Sequence, residues 1–200
     1  SSSSDTDKYH AGLIHSALTE AAAGEYGTAL QMLNRAKALN STPETVALIK
    51  KVERSSHIAA GREAQIDGDL AAAADCYAKA LEIAEDADLA KRLADIKRCI
   101  ECGRLRALAQ QSVDGRKWAK ARDLYREALE LAAEDDAKII RAAIDRASVE
   151  IAYRDAFDRA TAAAGASDFE GALSFAREAA RLKPDSAEAN ALVARIENSN

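Results

Sequence analysis

Cys99-Ile100-Glu101-Cys102 is where side chains of reactive type stand closest together in this chain. On a helix the spacing puts two thiols one turn apart, suited to chelating a soft metal or to cycling between dithiol and disulfide. A structural zinc needs four ligands, and Cys76, His10, His15 and His57 are what remains to complete a set. Their spacing matches no zinc module, and a thioredoxin-like motif belongs after a strand that this sequence does not predict. The cysteines are expected to be small buried hydrophobes, and no metal site is expected. The histidines have no cysteine or repeated carboxylate beside them. No Ser-His-Asp arrangement, glycine-rich phosphate loop or metalloprotease motif is present. Gly24-Glu25 and Gly68-Asp69 read as turn chemistry rather than phosphate cradles. The expectation is a chain without catalytic residues or cofactor.

The elements that would position any site are helices. Charged residues make up 30% of the chain, aromatics only 4%, and there are two prolines, while alanine supplies much of the apolar total. Such a chain forms helix readily, and no alternating β-branched run predicts a sheet. A net charge of −5 with both signs interspersed argues against a nucleic-acid binder, which would show a basic stripe. No apolar run approaches the roughly 20 residues of a membrane span. Three cysteines, an odd and sparse set, favour a reducing compartment and a cytoplasmic location.

One helix-turn-helix phrase occurs four times. Its copies open at Tyr26, Leu70, Trp118 and Phe169 and carry alanines at 29 and 36, 73 and 80, 121 and 128, and 172 and 179. A large aliphatic closes each, at Leu39, Ile83, Leu131 and Leu182. Small residues let a neighbouring helix approach and large ones fill the gaps, so the units must stack to bury their apolar faces. The matched alanines 29, 73, 121 and 172 are 44, 48 and 51 residues apart, and the growth lies in the long helices before each turn. The spacing grows by 4 and then by 3 residues, each about one helical turn, which keeps the apolar face roughly in register. Thr42-Pro43-Glu44 predicts a helix start, Asp86 and Asp88 cap the next long helix, and Asp135-Asp136 the one after. Asp185 with Glu188 predicts a capping box for a last helix. Ser55-Ser56 and Gly103 are the places where a long helix would break. Residues 1–8, rich in serine, are expected to be a disordered linker remnant, and 9–198 a single helical-repeat domain cut from a larger protein.

The phrases beginning Gly68-Asp69-Leu70-Ala71-Ala72-Ala73 and Asp168-Phe169-Glu170-Gly171-Ala172 resemble the tetratricopeptide repeat. Its small first-helix residue is matched by Ala17, Gly61, Ala109 and Ala160, and its closing proline by Pro184. The resemblance spans four units from about His10 to Asp185, with first helices longer than the family's 34-residue repeat allows. It implies an all-α solenoid of about four repeats, long and short helices alternating, with a terminal capping helix. It also implies a protein-interaction scaffold or adaptor. The first helices would present a groove made of Ile14, His15, Leu18, Ile58, Arg62, Gln65, Arg106, Gln110, Arg154, Phe157 and Asp158 to a peptide or helix of a partner protein. Arg62, Arg106 and Arg154 would form a basic track, unless they pair with Asp114 and Asp158. The subgroup that grips heat-shock chaperones uses lysines, asparagines and an arginine. Ile14, Leu18, Ala59, Gly103 and Ala107 stand at those positions, so that clamp is absent.

Two other functions compete. Aliphatics around Val46–Val52, Leu89–Ile100 and Ile139–Ile151 need cover, and self-association would supply it if neighbouring helices do not. A small-ligand or peptide-sensing regulatory domain would need a closed pocket with convergent polar groups.

Overall fold

The computed structural model describes residues 2–199, which are helical throughout apart from turns and caps, with no strand among them. In chain order the helices are α1 (Ser2–Ala22), α2 (Tyr26–Leu39), α3 (Pro43–Ile66), α4 (Leu70–Ile83), α5 (Ala87–Asp114), α6 (Trp118–Leu131), α7 (Glu134–Gly165), α8 (Phe169–Leu182) and α9 (Ala187–Asn198). The four short helices each have 14 residues. The long ones grow from 21 through 24 and 28 to 32 residues. The fold is all-α, long and short helices alternating and packed as sequential pairs, as in a tetratricopeptide-like helical repeat.

The short helices share one buried face whose inward positions run small, large, small in α2, α4 and α6 and are all alanine in α8. Ala29-Leu33-Ala36, Ala73-Tyr77-Ala80 and Ala172-Ala176-Ala179 are fully buried, and Ala121-Tyr125-Ala128 departs only at Tyr125, 7% exposed. Facing them from the long helices are Ala17, Gly61, Ala109 and Ala160, all buried and each sixteen residues before the central member of its trio. The closing aliphatic does less than expected: Leu39 is 43% exposed, because α2 ends there and the chain leaves in an extended conformation at Asn40.

Contacts group the chain into two compact units, one ending at Ile100 and one beginning at Glu101, where a single domain over 9–198 is expected from the sequence. The division falls inside α5, whose residues 97–100 are exposed all around one helical turn. The first unit holds α1 to α4 and the start of α5, with Leu89, Leu93 and Ile96 packed on the α4 trio. The second holds the rest of α5 with α6, α7, α8 and α9, and Leu192 and Ile196 of α9 cover Ala172 and Ala176. Neither Ser55-Ser56 nor Gly103 interrupts its helix.

Local signals act mostly as their chemistry dictates. Thr42 caps α3 by accepting from Thr45 N, with Pro43 first in the helix. Asp86 accepts from Leu89 N at 3.0 Å at the start of α5. Three expectations change. Residues 2–8 are helical and exposed rather than disordered, with Asp5 in the first turn and Thr6 Oγ1 bonded back to Ser2 O; Ser1 lies outside the described residues. Asp135 and Asp136 do not cap α7, which begins one residue earlier after Ala133; with Glu134 they supply first-turn charge to its dipole instead. Ser186, not Asp185, caps α9, because its hydroxyl accepts from Ala189 N while meeting Tyr153 Oη at 2.8 Å.

Each turn between paired helices carries one left-handed residue in register: Gly24 (φ 85°), Gly68 (φ 79°), Arg116 (φ 55°) and Ser167 (φ 62°). A second register lies seven residues before each small long-helix residue, at His10, Arg54, Cys102 and Tyr153. His10 Nε2 lies 3.1 Å from Asn40 O and Arg54 Nη2 donates to Asp86 at 2.8 Å. Cys102 Sγ donates to Ala128 O at 3.5 Å, and Tyr153 meets Ser186. All four reach out of their own helix to hold a neighbouring segment.

Candidate functional site

The most developed concavity lies in the second unit, between the last three turns of α5 and the first half of α7. It is an open cleft of ≈ 570 Å³. Small residues make its walls, Gly103 and Ala107 on α5 and Ala142 and Ala143 on α7, above Tyr125 and Ile140. Ile139 and Ile140 are adjacent on a helix and so point apart: Ile140 is fully buried in the core and Ile139 is 59% exposed at the cleft.

Arg106 and Arg146 bring positive charge to this lining, and no carboxylate belongs to it. Arg106 Nη1 donates to Asp136 Oδ1 at 2.8 Å across the helix pair. Arg104, two residues away, is engaged elsewhere: it makes a double bond set to Glu101 at 2.8 and 2.6 Å, which holds that carboxyl below its ordinary range. Gln110 is held at both ends of its amide, donating to Asp114 at 2.9 Å and accepting from Tyr125 Oη at 3.3 Å.

The expected groove residues divide. Arg106 and Gln110 come together in this cleft. Arg106 pairs with Asp136, neither Asp114 nor Asp158, while Arg62 and Arg154 are exposed without an ion pair among the described residues. Arg154 borders a separate shallow cleft beside Tyr153, Lys183 and Ser186. Phe157 is half-buried, its ring centroid 5.9 Å from that of Tyr153, and it packs against the α7, α8 and α9 core. That packing gives it a structural task whatever partner is present. In the first unit Ile14 and Ile58 are half-buried against their own core clusters, His15, Leu18 and Arg62 are exposed, and Gln65 accepts from Tyr77 Oη at 3.0 Å. Asp158 is exposed.

The paired cysteines do not act as a pair. Cys102 is 4% exposed and faces Ala128, whereas Cys99 is exposed, contrary to the expectation that all three cysteines are buried. No disulfide joins the cysteines, and among the described residues no three His, Cys, Asp or Glu side chains gather as a metal-binding group. No described helix is long and apolar enough to cross a membrane. The aliphatics expected to need cover mostly have it within their units: Ile49, Val52, Leu89, Leu93, Ile96 and Ile140 are buried.

No family model matches the chain, and no curated protein does. Among solved structures it is similar to one described as the TPR2AB domain:pHSP90 complex of yeast Sti1. The alignment covers 98% of this chain and 84% of that one, at 16% identity and a TM-score of 0.31.

Proposed function

We propose that the chain is a non-catalytic protein-interaction module that engages a partner protein at the cleft between α5 and α7. One observation carries this reading: on a chain of net charge −5, the lining joins two arginines, an isoleucine 59% exposed and no carboxylate. An exposed apolar anchor beside Arg146, which has no ion pair among the described residues, and Arg106, which Asp136 engages from outside the lining, is the composition of a contact surface rather than of a solvated helix face. From the expected groove it retains Arg106 and Gln110, and it adds Gly103, Ile139 and Arg146. Chaperone binding of the clamp type is not part of the proposal, since Gly103 and Ala107 offer no side chain to grip a carboxylate.

A photo-crosslinking residue at position 139 tests this in cells. The expected product is a crosslinked partner that disappears when Gly103→Trp fills the cleft. A Cβ at 103 meets nothing within 4 Å, so the helix accepts a side chain there, and circular dichroism checks that Gly103→Trp remains folded. Crosslinks that ignore Gly103→Trp, or none at all, overturn the reading.

A further inference from the structure

The cleft between α5 and α7 is poor in hydrogen-bond acceptors, and that restricts what can lie in it. Its walls, Gly103, Ala107, Ala142 and Ala143, contribute no polar side-chain atom, and the helical backbone behind them uses its carbonyls internally. The Gln110 carbonyl already accepts from Tyr125. What the lining offers are donors: Arg106, one of whose nitrogens already serves Asp136, and Arg146. An extended segment laid here would bury peptide N–H groups without acceptors, each at a desolvation cost. A helix satisfies its own backbone and presents only side chains. Small walls also allow two helices to approach closely.

We infer that the occupant is a short amphipathic α-helix of a partner protein, its apolar face against Ile139 and the alanine walls and its acidic side chains toward Arg106 and Arg146. The inference rests on the interaction-module reading and sharpens it. The acidic requirement follows from charge complementarity: no carboxylate lines the cleft, Arg146 has no ion pair among the described residues, and Arg106 spends one nitrogen on Asp136 and keeps others to donate. The apolar requirement follows from Ile139, whose exposure the rest of its unit leaves uncovered.

The test uses the full 200-residue chain and two displayed peptide libraries of equal length, with the same residues allowed at the varied positions. One is built on a helix-favouring alanine scaffold, the other carries central prolines that forbid a helix. Synthetic copies of the enriched peptides are then titrated by fluorescence anisotropy. Expected are helical binders with large aliphatics at i, i+4 and i+7 beside Asp or Glu. Gly103→Trp and Arg146→Glu should each weaken them at least about tenfold, and lysine-for-glutamate peptides should recover affinity on Arg146→Glu. Helical binders indifferent to Gly103→Trp overturn the inference. So do binders drawn from the proline library alone, although the cleft survives as a binding site if Gly103→Trp weakens those. Silence from both libraries removes the inference and the interaction-module reading together.

Discussion

Replacing Gly61 by alanine should destabilise the first unit, although the same change improves an ordinary helix. A Cβ built at Gly61 lies 2.5, 2.8 and 3.0 Å from three ring carbons of Tyr77, where ordinary contact begins at 3.4 Å. The ring would have to retreat by close to an ångström. It has little room: Tyr77 is fully buried among Ala73, Ala80, Leu89 and Ile96, and its hydroxyl is tied to Gln65. Overpacking of this kind costs about 1–3 kcal/mol, against a gain of about 1 kcal/mol for removing a helical glycine. The expected net loss is roughly 1 kcal/mol. That lowers the melting temperature by about 4–8 °C if the unit melts alone, or about 2–4 °C if the chain melts as one.

Two companions isolate the cause in thermal melts followed by helical circular dichroism. Gly103→Ala, with open space around its new methyl, should stabilise by about 1 kcal/mol. The pair Gly61→Ala with Tyr77→Leu copies the first hairpin, where Ala17 faces Leu33, and should cost less than the two single changes added together. A Gly61→Ala protein that gains stability as Gly103→Ala does, or strict additivity with Tyr77→Leu, would refute the claim that this glycine exists for the ring.

Arg116→Gly and Ser167→Gly should each raise stability by roughly 0.5–1 kcal/mol in urea melts, because both hold the left-handed conformation that glycine takes at 24 and 68; a loss at both sites contradicts the assigned turns. Ser186→Ala removes the α9 cap and the Tyr153 partner together, so a loss of about 1–2 kcal/mol is expected, and Tyr153→Phe in that background should add little. The Asp86 carboxyl is held below its ordinary range first by the Leu89 N–H and then by Arg54. Its contribution is therefore fully present above about pH 4 and lost as pH falls through the lower folded value. The stability difference between wild type and Asp86→Asn should shrink on acidification; a difference unchanged in strong acid would mean that the carboxylate charge is not what stabilises.

Helix order and length were legible because paired alanines repeat at one spacing in all four short helices, with a large residue between them in three, and a stacked hairpin buries such a face. Helix starts were less so. Ser186 outcompetes Asp185 through a contact with Tyr153, thirty-three residues away in sequence, which no local pattern contains. The turns show a related limit. Gly24 and Gly68 announce themselves, but in the third and fourth hairpins glycine stands one and two positions early, at 115 and 165, and Arg116 and Ser167 take the left-handed place. The cleft was half legible for a physical reason. Arg106 lies three residues before Ala109, inside the span that a 34-residue family repeat can match. Ile139 and Arg146 lie in the first half of α7, ahead of the residues the resemblance matched in that helix. A resemblance carries over residues only where its motif reaches, and the α7 wall of this cleft lies ahead of the motif.

A further regularity joins His10, Arg54, Cys102 and Tyr153, one from each long helix. At one register the chain uses an imidazole, a guanidinium, a thiol and a phenol, each bonded to a segment outside its own helix. No shared residue type marks the position, so a search by residue identity passes over it. Counting seven residues back from the four small residues finds it, because helical geometry repeats the direction in which a side chain leaves the helix whatever that side chain is. Register, rather than composition, is the level at which these four unequal hairpins are the same object.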